Sequence, residues 1–346
     1  MASERYVFQK HIDDGGQGSV SLYQDNYLDR KVAVKTIKID KHPEALDEVN
    51  MMKSVVSKHV VNLYDVIQSG STIEIYQEYL GGDDLRDKVA KCSPQEFLLL
   101  AFQLVSGLAD IHNAGICHRD IKLENVKFDE QGVLKIFDFG VSREGDPHDT
   151  LNGFGTAQYL APEVYELHHS SEVTLSYAVD IFAFGVTLHK LAFGGNCNFC
   201  GYVPGIAPSA VQFDKLGLGG DITTLLSKTL SSNPIDRPSA KDLKRYLERE
   251  LLKDKHVGFF VTPRNTHQID VSNRAVKIRI ADKLSIVIGY NGYDFIVMSV
   301  EGAVYINNDR ALVNRILHGA CVLTFENSDE RRFFVSFSSS HPEIVL

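Results

Sequence analysis

The chain has 346 residues, a length that allows two domains. Its 44% hydrophobic and 23% charged residues are typical of an ordinary soluble protein. A formal net charge of −9 disfavours nucleic acid as the ligand, because phosphate backbones attract basic surfaces.

Membrane insertion and disulfide stabilisation are both disfavoured. No run reaches the roughly 18 apolar residues of a membrane span, and we expect no signal peptide at the N-terminus. Five scattered cysteines form no disulfide framework, which indicates an intracellular protein, cytoplasmic or nuclear. Cys197 and Cys200 have metal-ligand spacing, but zinc needs four ligands and no second pair follows, so we interpret both as ordinary thiols.

The first 252 residues predict a strand-rich lobe followed by a helical lobe. Strand-like residues flank a glycine-rich bend at 15–20 and recur at 31–35. A helix over 43–54 and strands over 60–66 and 73–79 complete the first lobe. A capping box at 93–96 starts a long amphipathic helix. Further helices are predicted over 179–193, 222–230 and 240–252.

Composition changes after residue 252. Short β-branched and aromatic runs alternate with turn residues, which predicts a separate β-sandwich or barrel. The predicted strands are 277–281, 285–288, 295–300, 303–306, 321–325 and 332–337. We therefore predict an α+β domain over 1–252, with lobes of about 1–79 and 80–252, a linker at 253–256, and an all-β domain over 257–346.

The first lobe contains groups suited to binding phosphates. Gly15, Gly16 and Gly18 would let backbone N–H groups approach phosphate oxygens. Lys35 would reach the α- and β-phosphates, held by an ion pair with Glu48 or, because the spacing is short, with Glu44.

The sequence His-Arg-Asp-Ile-Lys-Leu-Glu-Asn over 118–125 is the decisive motif. Asp120 can orient an acceptor hydroxyl or accept its proton, and Lys122 can neutralise a γ-phosphate. Asn125 and the carboxylate of Asp138, in Asp-Phe-Gly, can hold magnesium. Chance does not readily produce both motifs at this distance.

With these motifs in order, residues 6 to about 252 resemble a eukaryotic-type protein kinase domain. The resemblance includes Val-Ala-Val-Lys at 32–35 and Ala-Pro-Glu at 161–163. It implies a bilobal kinase fold, ATP and Mg²⁺ as cofactors, and a protein substrate.

The resemblance also implies roles for further residues. Those expected at the nucleotide are Val20, Ala33, the gatekeeper Gln77, the hinge residues Glu78 and Leu80, and Asp83 or Asp84 at the ribose. Asp180 resembles the aspartate that braces the catalytic loop, and Arg237 the arginine that pairs with Glu163.

Two residues favour serine and threonine as acceptors. Lys122 lies two residues after Asp120, and Thr156 matches the threonine that contacts this loop in serine/threonine kinases. In this family the arginine at the position of Arg119 often binds a phosphate on the activation loop. We therefore predict that Thr150 is a phosphosite. The alternative is an ordinary loop threonine. The complete Ala-Pro-Glu segment disfavours a small-molecule kinase.

The main departure from the kinase pattern is Asp13, which replaces the first glycine of the loop. A carboxylate there can weaken ATP binding. A pseudokinase scaffold therefore remains the second hypothesis, although every residue expected to carry out phosphoryl transfer is present.

The C-terminal segment weakly resembles a forkhead-associated domain, a β-sandwich that binds phosphothreonine. Tyr290 follows Gly289 where that family usually has arginine, and the segment has no matching Ser-x-x-His. We predict a degenerate interaction or dimerisation module, with a purely structural domain as the alternative.

Overall fold

The computed structural model describes residues 5–15, 18–43, 45–140, 143–144, 156–166, 176–194 and 213–344. Packing divides the chain into two compact units, one ending at Leu247 and the other covering Glu248–Val345. The domain boundary near residue 252 stays a prediction.

The N-terminal part of the first unit is an antiparallel sheet of five strands in the order β1-β2-β3-β5-β4. Its elements are β1 (Tyr6–Gly15), β2 (Gly18–Asp25), β3 (Arg30–Lys38), helix α1 (Ala45–Ser54), β4 (Leu63–Ser69) and β5 (Thr72–Glu78). β-Branched side chains on β3 and β5, such as Val32 and Ile75, are fully buried and hold the sheet together.

Strand β4 begins three residues later than the predicted strand over 60–66. Val60 instead forms an isolated bridge with Ile136, and the N–H of Val61 donates to the Ile136 carbonyl at 2.9 Å. These residues therefore pair with the chain near Ile136, which a local sequence pattern does not reveal.

The rest of the first unit is mainly helical. Its helices are α2 (Pro94–Asn113), α3 (Pro162–Glu166), α4 (Ala178–Phe193), α5 (Gly220–Lys228) and α6 (Ala240–Leu251). Its short strands are β6 (Ile116–Cys117), β7 (Val126–Phe128), β8 (Leu134–Ile136) and β9 (Arg143–Glu144). As predicted, Ser93 caps α2, its Oγ accepting from the Glu96 N–H at 3.2 Å.

Glycine is required where α4 approaches the end of α5. A Cβ on Gly185 would lie 2.2 Å from Thr229 Oγ1 and 2.9 Å from a Leu230 methyl carbon. The absence of a side chain thus sets the spacing of the two helices.

The second unit has two antiparallel sheets that enclose one hydrophobic core, which confirms the predicted sandwich. The six-stranded sheet has the order β11-β10-β19-β18-β15-β16 and the four-stranded sheet β12-β13-β14-β17. The strands are β10 (Gly258–Val261), β11 (Thr266–Ile269), β12 (Ala275–Ala281), β13 (Leu284–Tyr290), β14 (Phe295–Glu301), β15 (Ala303–Ile306), β16 (Asp309–Arg310), β17 (Ile316–Leu317), β18 (Ala320–Glu326) and β19 (Arg332–Ser339).

In the described part of the chain, no helix is both long and apolar enough to cross a membrane.

Strand β19 alternates between core and surface, which supplies a matched pair of substitutions. Phe337 is 2% exposed and packs its ring 4.7 Å from that of Phe260, whereas Phe334 is 60% exposed. We expect Phe337→Ala to lower the free energy of unfolding of the second unit by about 3–5 kcal/mol, because it leaves a cavity. Phe334→Ala should cost less than about 1 kcal/mol.

Hydrogen exchange with mass spectrometry, on the full chain in increasing urea, resolves the unfolding of the second unit. Equal losses in the two variants would contradict the alternation that the strand register gives.

Candidate active site

Three charged groups from distant parts of the chain meet beside strand β3. Lys35 Nζ lies 2.8 Å and 3.0 Å from the two carboxylate oxygens of Glu48 on α1, and 3.3 Å from Asp138 Oδ1. The expected pair with Glu48 is therefore present, and Glu44 lies outside the described residues. Burial alone would lower the pKa of Lys35, but the carboxylates of Glu48 and Asp138 outweigh it and raise the pKa.

The Asp120 carboxylate is surrounded by donors. Its Oδ2 lies 2.6 Å from Lys122 Nζ and accepts from Asn125 Nδ2 at 2.8 Å. Its Oδ1 accepts from the backbone N–H and the hydroxyl of Thr156 at 3.0 Å and 3.1 Å. Burial alone would raise the pKa of Asp120, but Lys122, then Thr156 and Asn125, hold it below its usual value. Asp120 is thus a carboxylate at neutral pH.

A second, fully buried carboxylate fixes the backbone of this loop. Asp180 on α4 accepts from the N–H groups of His118 and Arg119 at 2.8 Å and 2.7 Å, and its Oδ2 lies 2.9 Å from His112 Nε2. Burial opposes ionisation, but these partners, led by His112, keep the pKa of Asp180 below its usual value. Sequence analysis missed His112, because a histidine near the end of an amphipathic helix gives no signal of its own.

The backbone is strained at two positions of the site. Arg119 and Asp138 have φ angles of 68° and 67°, a region that residues with a Cβ rarely adopt. Such strain costs about 1–3 kcal/mol per residue and persists only where neighbouring contacts impose it. The hydrogen bonds to Asp180 supply those contacts at Arg119.

The residues expected at the nucleotide lie on neighbouring strands of the first sheet. Gly15 pairs with Gly18, Val20 with Lys35, and Ala33 with Gln77. A Cβ on Gly18 would lie 2.2 Å from the Thr36 carbonyl oxygen, so this position needs glycine. Gly16 lies outside the described residues.

The Glu78 side chain is held by two polar neighbours. Its carboxylate accepts from Asn62 Nδ2 at 2.7 Å and lies 3.0 Å from Lys135 Nζ, a pair that is mostly buried. Only the backbone of Glu78 is therefore available to a nucleotide. Asn62 and Lys135 were missed in the sequence, because neither belongs to a motif.

Arg237 and Glu163 form the ion pair that the resemblance implied. Two guanidinium nitrogens of Arg237 donate to the two carboxylate oxygens of Glu163 at 2.6 Å and 2.8 Å, and both residues are buried.

Comparison with known proteins identifies the family to which these residues belong. Residues 6–202 match the protein kinase domain family. The chain belongs to this family. A serine/threonine-protein kinase stk11 homolog of Dictyostelium discoideum is 26% identical over 266 residues, covering 70% of this chain and 44% of that protein. NUAK family SNF1-like kinase 1 of Mus musculus is 31% identical over 200 residues, covering 55% and 30%.

A probable serine/threonine-protein kinase of Clostridium acetobutylicum is 31% identical over 209 residues, covering 56% of this chain and 31% of that protein. This chain thus spans less than half the length of these three relatives.

The kinase domain offers a donor set suited to Mg²⁺. Both amide hydrogens of Asn125 are used, because Nδ2 donates to the backbone oxygen and to Oδ2 of Asp120 at 2.9 Å and 2.8 Å. The Asn125 amide oxygen is therefore left for a cation, and the Asp138 side chain is 43% exposed. Within the described ranges, no three acidic, histidine or cysteine side chains form a complete metal cage. Mg²⁺ typically binds one or two protein oxygens together with substrate phosphates.

The structure distinguishes the two aspartates that follow the hinge. Asp84 caps the next turn, its Oδ1 accepting from the Arg86 N–H at 2.9 Å, and its Oδ2 lies 2.7 Å from Arg86 Nη2. Asp83 is exposed and has no side-chain hydrogen bond in the part of the chain that the structure describes.

Several sequence predictions fall on residues outside the described ranges. They concern Thr150, Cys197 and Cys200. Asp13, the departure from the glycine pattern, is exposed.

Replacing the buried Asp180 tests the support of the catalytic loop. We expect Asp180→Asn to lower the free energy of unfolding at pH 7 by about 3–5 kcal/mol, because an amide group would face donors in a buried site. The pKa of Asp180 in the folded protein lies below its ordinary value of 3.8. Its contribution is therefore complete above that ordinary value and is lost as the pH falls through the lower, folded-state pKa.

Urea unfolding of both proteins between pH 3 and pH 8 checks this expectation. The difference should be constant above about pH 5 and shrink in acid. Asp87→Asn, at an exposed position, is the matched control and should leave stability within about 0.5 kcal/mol. A difference that grows as the pH falls would contradict the assignment.

Proposed function

We propose that this protein transfers the γ-phosphate of ATP to serine and threonine hydroxyls of protein substrates. The observation that carries the proposal is the contact of Lys35 Nζ with Glu48 and with Asp138, at 2.8 Å and 3.3 Å. Active protein kinases require both the lysine–glutamate pair and a correctly placed Asp of Asp-Phe-Gly.

In this proposal the charged groups bind different parts of the magnesium-bound triphosphate. Lys35 would bind the α- and β-phosphates, while the loop with Gly15, Gly16 and Gly18 covers them. Asn125 and Asp138 would hold Mg²⁺, which neutralises charge on the phosphates when bound. Glu48 keeps the Lys35 ammonium in place.

Asp120 and Lys122 act on the acceptor side. Because Asp120 is ionised, it can accept a hydrogen bond from a substrate hydroxyl and orient its oxygen for attack. Lys122, whose Nζ is 2.6 Å from Asp120, would then neutralise charge on the transferred phosphoryl group.

Thr156 supports serine and threonine as the acceptors. Its hydroxyl accepts from Lys122 Nζ at 2.7 Å and donates to Asp120, which ties the end of the activation segment to the catalytic loop. The names of the relatives in Dictyostelium and Clostridium, both serine/threonine-protein kinases, agree with this assignment. The Ala-Pro-Glu segment, anchored through Glu163, favours a protein substrate.

The nucleoside would bind between the sheet edge and the hinge. We assign adenine to the backbone of Glu78 and Leu80, with Gln77, Val20 and Ala33 around the ring. Because Asp84 is engaged with Arg86, Asp83 is the better candidate for the ribose hydroxyls. Phosphorylation of Thr150 stays a prediction.

We also infer an intracellular location. Cys92, Cys117 and Cys321 are all free thiols, as expected in a reducing compartment.

Incubation with labelled ATP, Mg²⁺ and a mixed peptide library tests catalysis. We expect label on serine and threonine, and a loss of at least about 100-fold in Lys35→Met and Asp138→Asn, because each removes a group that stabilises phosphate charge. Lys38→Met, an exposed lysine on the same strand, and Asp87→Asn are the matched controls and should retain activity.

ATP binding without transfer in the wild-type protein would overturn the proposal in favour of a pseudokinase scaffold. Label on free small molecules but on no peptide would favour a small-molecule kinase.

For the second unit we propose an interaction module, related to forkhead-associated domains, that does not recognise phosphothreonine. Tyr290, at the position of that family's usual arginine, is buried. Its ring stacks 4.9 Å from that of Phe295, and its hydroxyl donates to the Gly292 carbonyl at 2.9 Å. This side chain therefore serves the core and presents no cation to a phosphate.

The outer face of the six-stranded sheet supports a role in protein interactions. Val261 and Val322 both pair with Ser336 of the central strand β19, and all three side chains point away from the core. Phe259 and Phe334 share this face, which is more apolar than a solvated sheet surface requires.

Binding of a phosphothreonine peptide library, and of the same library without phosphate, tests the lack of phosphate recognition. We expect affinities for the full chain that agree within about threefold, because Tyr290 cannot give a phosphate the bidentate hydrogen bonds of an arginine. Tyr290→Phe, which keeps the ring and removes the hydroxyl, should not change this ratio. A phosphate preference of about 100-fold would contradict the prediction.

A further inference from the structure

A cavity of about 570 Å³ lies in the first unit, outside the catalytic residues. It is open on one side and is lined by the last turn of α2, the beginning of α4 and the beginning of α6. Its apolar walls include Ala109, Tyr177, Ile181 and Pro238. This volume is within the range of pockets that bind small molecules.

Two lysines give the cavity a cationic side. Lys241 and Lys244 line it from adjacent turns of α6, and neither has an ion-pair partner among the residues that the structure describes. Asp110 also lines the cavity, but its carboxylate accepts from the Ser57 hydroxyl at 2.5 Å. Apolar walls beside two ammonium groups are suited to a molecule with an apolar body and an anionic group.

Two wall residues are also connected to the catalytic machinery. His112 lies 2.9 Å from Asp180, which holds the catalytic loop, and its ring stacks on Tyr177 at 4.7 Å. Arg237 lines the same cavity and pairs with Glu163 at the end of the activation segment. Because the Arg237 side chain is fully buried, a molecule in the cavity would act on the catalytic loop through His112 and the Tyr177 ring that stacks on it.

We propose that this cavity is a regulatory site for a small aromatic molecule with an anionic group. Its occupancy restrains His112 and thereby steadies the catalytic loop. Binding does not depend on the proposed kinase activity, so failure of one can be told from failure of the other.

The probe is 8-anilinonaphthalene-1-sulfonate, an aromatic sulfonate whose fluorescence rises in apolar sites. It is titrated into the full chain with the ATP analogue AMP-PNP and Mg²⁺ at saturating concentration, to block the nucleotide cleft. We expect saturable binding of one molecule per chain. Lys241→Ala combined with Lys244→Ala should weaken binding about three- to tenfold, because each ammonium contributes modestly at a partly exposed site.

The double variant Lys228→Ala and Lys283→Ala removes the same charge from exposed positions elsewhere and should bind like wild type. Ala109→Phe, which fills the cavity, should abolish binding, and the lysine variants keep the test valid if it fails to fold. Equal affinity in the two lysine double variants, or no binding to the wild type, would overturn the proposed site.

Hydrogen exchange tests the connection to the catalytic loop. With the probe bound, the N–H groups of His118 and Arg119 should exchange at least about twofold more slowly, because their partner Asp180 is held more firmly. The cavity double variant should lose this effect. Unchanged exchange at a saturating probe concentration would overturn the regulatory coupling.

Discussion

The active site depends on one buried carboxylate. Asp180 is fully excluded from solvent, yet it is ionised because it accepts from two backbone N–H groups and contacts His112. Burying a charge is costly unless such partners satisfy it. Because the two N–H groups belong to His118 and Arg119, the same contacts fix the strained backbone immediately before Asp120. The position of the proposed catalytic carboxylate is thus set from α4.

Charges in the cleft stabilise one another in two adjacent groups. Lys35 is held by Glu48 and Asp138, while Asp120 is held by Lys122 and Asn125. The first group combines strand β3, helix α1 and a loop from elsewhere in the chain, whereas the second lies within residues 120–125. Phosphate chemistry needs cations that stay in place without a substrate, and paired carboxylates provide that restraint. The charged groups of the proposed triphosphate site are therefore in place without a ligand.

The second unit has the two-sheet core that the sequence predicted. Its two sheets share one core, but Tyr290 occupies that core at the position of the expected arginine. The exposed apolar side chains instead lie on the outer face of the larger sheet, at Val322 and Phe334.

The sequence by itself predicted the types of the main elements, the kinase family and the proposed catalytic residues. These follow from local periodicity and from motifs such as that at 118–125. Only the tertiary structure placed Asp138 against Lys35, separated Asp83 from Asp84, and brought His112 to Asp180. It also revealed β10 and β11, which the sequence did not predict. These features depend on side chains that are distant in sequence and meet only when the chain packs. Local sequence patterns carry no information about such long-range contacts.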